Sequence, residues 1–326
     1  MPRILITDYE FESIEQEQAV ADANGVELVR AYCRTEDDVL QYAAEADALI
    51  VQYAPITERV INGLPRLKAV SRYGVGVDNI DVSAATQRGV AVSNVPDYGV
   101  DDVSDHAIAL ALTLARGIPD LDRGVRSGRN ALPAVMPLHR FSAQTFGVIG
   151  LGLIGAATAA KAKSLGFRTL GYDPLHAPGT TTPGGVQVVS FEDLLAGSDV
   201  VSLHVPLNRH TRHLIHAAAL ERFKEGATLV NTCRGAVVDT EALVDALKNG
   251  RIKGAGLDVF EEEPLPLNSA LLNLDGVVLT PHTAWYTEES NQELKRRTAE
   301  NAVDVCLNRR PCNIVNPQVL ASEGRP

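Results

Sequence analysis

The stretch Phe146-Gly147-Val148-Ile149-Gly150-Leu151-Gly152-Leu153-Ile154-Gly155 decides how this chain is read. Phe146 to Ile149 is a short run suited to a buried parallel strand. Gly150, Gly152 and Gly155 follow at GxGxxG spacing, and the alanine-rich segment Ala156 to Leu165 has the composition of a helix. A GxGxxG alone is a weak signal. Between a strand and a helix it is the turn that holds a dinucleotide pyrophosphate, because its glycines allow a tight bend, backbone approach to the phosphates and close helix packing. The helix start, with Leu153 and Ile154, offers unpaired N–H groups and partial positive charge to the phosphates. The next apolar run ends at Tyr172-Asp173-Pro174, with Asp173 placed 18 residues after Gly155. An acid at that distance meets the ribose hydroxyls and repels a 2′-phosphate, so the expected cofactor is NAD rather than NADP. The plain alternative is a strand-helix turn followed by a strand-end acid. It leaves the ordered strand, glycines, helix and acid as coincidence.

Similar apolar runs recur on both sides of this motif. They are Ile4-Leu5-Ile6, Ala48-Leu49-Ile50-Val51, Ala69-Val70 and Val90-Ala91-Val92 before it. After it come Thr169 to Tyr172, Val200 to Leu203, Thr228 to Val230, Gly256 to Val259 and Val277 to Leu279. Their alternation with amphipathic stretches predicts an α/β protein with doubly wound parallel sheets. The strands are too many for one compact sheet. A break is expected near Asn94-Val95-Pro96-Asp97, followed by a helix from Asp101 to Arg116, and the chain is expected to cross back after Trp285 into a polar helix from Thr287 to Leu307. The predicted domains are 1–99 with 286–326, and 100–285.

Composition bounds the function. The 326 residues suit two domains, and 45% hydrophobic with 22% charged residues is ordinary for a globular protein. A net charge of -11 argues against direct nucleic-acid or anionic-membrane partners. Cys33, Cys233, Cys306 and Cys312 form no CxxC pair and have no adjoining His cluster, so neither a disulfide framework nor a metal site is expected. The run Ala107 to Ala115 is too short to span a bilayer, and the N-terminus lacks a signal-peptide core. A cytoplasmic protein is expected.

Three segments lie at predicted strand ends, where open α/β sheets place ligands. They are Val230 to Gly235 with Arg234, Leu257 to Pro264 with Asp258 and Glu263, and Leu279 to Trp285 with His282. An arginine fork can hold a carboxylate and polarise a keto oxygen. A histidine can deliver a proton near neutral pH as hydride arrives, and retrieve it in the reverse direction. A carboxylate bonded to that imidazole would set its tautomer and favour the imidazolium. Taken singly, a helix-capping arginine, a surface acid and a satisfied core histidine explain the same residues.

At these motifs the chain resembles the D-isomer-specific 2-hydroxyacid dehydrogenase family. The resemblance runs through Arg72 to Asp81, Gly150 to Gly155, Asn231 to Val238, Gly256 to Pro264 and Pro281-His282. Asn94 to Tyr98 and His282 to Tyr286 look most similar to the branch containing the C-terminal-binding proteins. It implies flavodoxin-like and Rossmann-like domains and a homodimer. It implies that Arg234 binds substrate, that His282 is the general acid/base, and that Glu263, rather than Glu261 or Glu262, is its partner. Gly74, Val75 and Gly76 match a loop that holds the substrate carboxylate. Asp258 matches an acid near the nicotinamide carboxamide, and His204, Val205 and Pro206 match the wall beside the adenine. Thr211, Thr232, Cys233 and Trp285 complete the expected cofactor contacts. Cys233 stands where alanine or serine is usual, and beside Arg234 it is either oxidation-sensitive or a small filler. Tyr73 and Trp285 are expected to border the substrate pocket or simply to pack. The expected activity is reversible hydride transfer between NAD and a small 2-oxo or 2-hydroxy acid. The alternative is an NAD-sensing, co-repressor-like partner protein without turnover.

Overall fold

The computed structural model describes residues 1–322. Positions 323–326, assigned above to the first domain, lie outside them. The chain divides into two compact units, Met1–Tyr98 with the segment from Thr287, and Gly99–Tyr286.

The first unit holds β1 (Arg3–Ile6), β2 (Glu27–Arg30), β3 (Ala48–Val51), β4 (Ala69–Arg72) and β5 (Ala91–Ser93). All pair in parallel, in the order β2-β1-β3-β4-β5. This is the flavodoxin-like arrangement, with helices covering both faces. β3 is buried at every position, as a central strand must be. Leu5, Leu49, Ile61, Val70 and Val92 belong to one core cluster. The helix Glu288–Cys306 returns to this unit. Its start is set by a capping box between Thr287 and Ser290, and it buries Leu294, Thr298 and Ala302. The Ser71 hydroxyl donates to the Thr298 carbonyl at 2.8 Å, tying the helix to β4.

The second unit holds β6 (Thr145–Ile149), β7 (Arg168–Tyr172), β8 (Gln187–Val188), β9 (Val200–Leu203), β10 (Thr228–Asn231), β11 (Gly254–Leu257) and β12 (Val277–Leu279). Their order is β12-β11-β10-β9-β6-β7-β8. Counted from β6, this is the 3-2-1-4-5-6 order of a dinucleotide-binding sheet with one strand added, and its switch point lies between β6 and β9. The helix Val100–Ala115 packs tightly on β11, because a Cβ on Gly256 would stand 2.9 Å from the Leu110 Cβ. Among the described residues no helix is long and apolar enough to cross a membrane.

Two strands were not expected from the sequence. β2 reads Glu-Leu-Val-Arg and is nowhere fully buried, and β8 has only two residues. Both are edge strands, with too little apolar surface to give a run. β11 ends at Leu257, not Val259, because Asp258 turns out of the sheet to serve the following loops.

Candidate active site

The nucleotide end of the site forms where β6 meets the helix Leu153–Ser164. Gly150 has φ +92°, and a Cβ there would lie 2.3 Å from the His204 carbonyl oxygen. A Cβ on Gly155 would lie 1.9 Å from the Gly150 carbonyl oxygen. Both positions must therefore be glycine for the turn to close. At Gly152 a Cβ would meet nothing within 4 Å, so this glycine leaves open space beside the backbone. Gly152 is the N-cap and supplies no side-chain acceptor to the first-turn N–H groups. The turn thus fits a pyrophosphate by shape and by charge. Asp173 accepts from the Leu151 N–H at 2.8 Å and the Leu175 N–H at 2.9 Å, which fixes its carboxylate beside the turn. Asp173→Ser should raise kcat/KM with NADPH relative to NADH by about tenfold or more, since unit charges ~4 Å apart interact by about 1 kcal/mol even in water. Steady-state kinetics with both cofactors checks this.

His204 and Val205 cross over Gly150 at the end of β9. The His204 Nε2 lies 2.8 Å from the Ser202 hydroxyl, and burial pushes the imidazole from 6.5 down to about 3. The folded pKa is below the unfolded one, so the unfolded chain takes the proton first on acidification. The stabilisation from a neutral His204 is complete above pH 6.5 and drains away as pH falls toward about 3. His204→Gln should therefore flatten the decline of Tm from about pH 6 to 4, as thermal melts across pH will show.

Thr211 does not present its hydroxyl freely. It donates to the Pro206 carbonyl and accepts from the Asn208 N–H at 2.9 Å, holding its own loop together. Thr232 differs, because its Oγ1 is buried without a partner among the described residues. An orphaned hydroxyl just past the end of β10 is consistent with a cofactor polar group completing it. Cys233 donates its thiol to the Asn231 Oδ1 at 3.1 Å. Burial pushes the thiol pKa up despite the nearby Arg234 charge. That favours the filler over the reactive thiol.

The three catalytic candidates sit on loops that lock one another. Arg234 follows β10, and its Nη1 donates to the Cys233 carbonyl at 2.7 Å. Asn231 holds the turn, its amide donating to the Arg234 carbonyl at 2.9 Å. A Cβ on Gly235 would stand 1.8 Å from the Phe260 carbonyl carbon, so only glycine lets the Arg234 turn seat against the loop carrying Glu263. Glu263 uses both oxygens: Oε1 accepts from the Phe260 N–H at 2.9 Å, and Oε2 lies 2.7 Å from the His282 Nδ1. Burial raises the Glu263 pKa, but the His282 hydrogen bond and charge, the Phe260 N–H and Arg234 outweigh it and bring the carboxyl below its ordinary value. An ionised carboxylate only accepts, so Nδ1 carries a proton and Nε2 faces away from Glu263. The His282 and Glu263 side chains keep 26% and 30% of their surface, enough for a small molecule to reach the imidazole. His282 itself has φ +54° and donates its N–H to the Asp258 carbonyl at 2.7 Å.

Glu261 turns elsewhere, accepting from the Thr240 N–H at 2.9 Å and pairing with the His213 Nε2 at 2.8 Å. It fastens the same loop from the other side. Asp258 is fully buried, and both its oxygens accept from N–H groups of the loop after His282. Its visible role is to shape that loop. Trp285 packs edge-on to Tyr286, with ring centroids 5.5 Å apart.

In the first unit, the Gly74 backbone has φ +122°, and the Arg72 Nη1 lies 1.8 Å from where its Cβ would be. The carbonyls of Gly74 and Val75 are held by the Val95 N–H and the Asn94 amide, which fixes this loop, with Val75 exposed and Gly76 half-buried. The Tyr73 ring packs inside the first unit. It is 2% exposed, packs edge-on to Phe11, and donates its hydroxyl to the Glu17 Oε1 at 2.7 Å. Directly after β4 the chain buries Tyr73 and Gly74 and exposes Val75. The sequence reading passed over His106, which lies 2.9 Å from the Thr280 hydroxyl. Its signal was a lone imidazole on the apolar helix Val100–Ala115.

Residues 108–284 match the family described as D-isomer specific 2-hydroxyacid dehydrogenase, NAD binding domain. A glyoxylate reductase of Korarchaeum cryptofilum is 42% identical over 286 residues, covering 86% of each chain. A D-3-phosphoglycerate dehydrogenase of Archaeoglobus fulgidus is 38% identical over 302 residues, covering 92% of this chain and 57% of its relative. The structure of a D-lactate dehydrogenase from Aquifex aeolicus, complexed with NAD and lactic acid, superposes with a TM-score of 0.84 at 28% identity. That likeness covers 96% of this chain and 99% of the other. With the sheet order, the glycine turn and these likenesses together, the chain belongs to the NAD-dependent D-isomer-specific 2-hydroxyacid dehydrogenase family.

Proposed function

We propose that this dehydrogenase reduces a small 2-oxo acid to the D-2-hydroxy acid, reversibly, with His282 as general acid/base, Glu263 as its partner and Arg234 as the substrate-binding cation. The observation that carries this reading is the 2.7 Å contact between the His282 Nδ1 and the Glu263 Oε2. It commits one ring nitrogen to a carboxylate and leaves Nε2 as the nitrogen that exchanges a proton. The bound nicotinamide supplies or accepts hydride at the substrate C2. As C2 gains hydride, negative charge develops on the keto oxygen, and the Nε2 proton of His282 neutralises it. In the oxidation direction Nε2 takes that proton back. Glu263 holds the imidazole orientation through both directions. Arg234, fixed by the Cys233 carbonyl, presents a fork to the substrate carboxylate and the polarised oxygen. From the resemblance at Arg72 to Asp81 we propose the Gly74-Val75-Gly76 loop as a carboxylate-binding loop of the first unit.

Glyoxylate is the first substrate to test, because the glyoxylate reductase likeness extends over 86% of both chains. NADH oxidation measured against glyoxylate, hydroxypyruvate, pyruvate and branched 2-oxo acids tests the reading. Turnover with glyoxylate or hydroxypyruvate is expected. NADH binding with no turnover of any 2-oxo acid would reject it.

A further inference from the structure

The loop that carries His282 is built around the side chain of Asp258. The Asp258 Oδ1 accepts from the Thr283 N–H at 2.9 Å, and its Oδ2 accepts from the Ala284 N–H at 2.9 Å. Its backbone carbonyl accepts from the His282 N–H at 2.7 Å. The two residues that follow His282 are thus pinned to one carboxylate with no exposed surface. The third partner of that carboxylate is Thr280, whose hydroxyl lies 2.6 Å from the Asp258 Oδ1. The His106 Nε2, on the helix Val100–Ala115, lies 2.9 Å from the same hydroxyl and 3.6 Å from the Asp258 Oδ1.

The proton count fixes the direction of this chain. A hydroxyl has one hydrogen, and a carboxylate can only accept. The Thr280 hydrogen therefore goes to Asp258, and the Thr280 oxygen accepts from His106, so His106 carries its hydrogen on Nε2. A donor there polarises the hydroxyl and strengthens its bond to the carboxylate. Without it, the Thr280 hydroxyl is left short of a donor, and its bond to the buried Asp258 weakens.

We infer that His106 is a positioning residue for the reaction, holding the His282 loop in register through Thr280 and Asp258. The inference rests on the reading of His282 as general acid/base. Among the described residues His106 bonds Thr280 and Asp258 and makes no hydrogen bond or ion pair with the His282 imidazole or Glu263, so its action is on geometry. A displacement of about 1 Å at a proton-transfer group costs on the order of 10- to 100-fold in rate. Glutamine can place an amide N–H near the position of the histidine Nε2, whereas leucine keeps the bulk and offers no donor.

The test measures kcat, KM and NADH Kd for His106→Leu, His106→Gln, Thr280→Val and the His106→Leu/Thr280→Val double variant, with His282→Ala alongside. The expected result is a fall of kcat by on the order of 10- to 100-fold in His106→Leu, with NADH Kd within about twofold of the parent. His106→Gln should recover kcat to within about threefold of the parent. The double variant should be no slower than Thr280→Val, because both changes break one chain. Should His106→Leu fail to fold, the comparison of His106→Gln with Thr280→Val still decides: a fast Gln variant with a slow Val variant supports the chain. Parent-like kcat in His106→Leu, equal losses in Leu and Gln, or additive losses in the double variant would each overturn the inference. A His282→Ala enzyme with near-parent activity would instead overturn the reading of His282, separating the two failures.

Discussion

His282→Ala is expected to lower kcat for 2-oxo acid reduction about 1000-fold, roughly 4 kcal/mol of transition-state stabilisation, and to leave NADH Kd nearly unchanged. The split follows from where the residue stands. Its Nδ1 is committed to Glu263 at 2.7 Å, while the features that fit the dinucleotide lie at the Gly150 to Gly155 turn and Asp173, on other loops. Removing the imidazole takes away the proton that neutralises the developing alkoxide and touches none of the groups at the phosphates. Stopped-flow hydride transfer and fluorescence titration with NADH check the two halves separately. A loss of NADH affinity with intact chemistry would place His282 in binding instead.

Arg234→Lys is expected to lower kcat/KM on the order of 10²- to 10³-fold, though the charge is retained. The guanidinium is anchored by Nη1 to the Cys233 carbonyl at 2.7 Å, and its backbone turn is held by Asn231 and wedged under Phe260 at Gly235. An anchored plane keeps a fork aimed in one direction. An ammonium carries its three donors on one atom, so it cannot hold the Cys233 carbonyl and still present a planar fork. KM should rise as well as kcat fall, because carboxylate binding and oxygen polarisation both depend on the fork. The kinetics of the lysine variant across 2-oxo acids of different length would show this, and a loss confined to KM would reduce Arg234 to a binding residue.

Much of the architecture was legible because buried parallel strands leave continuous apolar runs. Ala48 to Val51 and Val200 to Leu203 were read with the bounds the structure gives them. The edge strands at Glu27 and Gln187 were not, since an edge strand needs no such run. The glycine turn was legible for a steric reason: at Gly150 and Gly155 a side chain would collide with backbone. At the catalytic end, the residue types could be read but not their meeting. Nothing in the composition of Glu261-Glu262-Glu263 says which acid reaches His282. The resemblance selected Glu263, and the geometry places that residue's Oε2 on the imidazole while Glu261 goes to His213. His106 escaped notice because its partners, Thr280 and Asp258, lie more than a hundred residues away in sequence and meet it only in the fold.

The most direct measurement is deuterium transfer from NADH carrying deuterium at both nicotinamide C4 positions to hydroxypyruvate or pyruvate, with chiral analysis of the product. The account predicts one deuterium at C2 of the D-2-hydroxy acid, with transfer suppressed in His282→Ala. An L product, or label that never reaches C2, would contradict it.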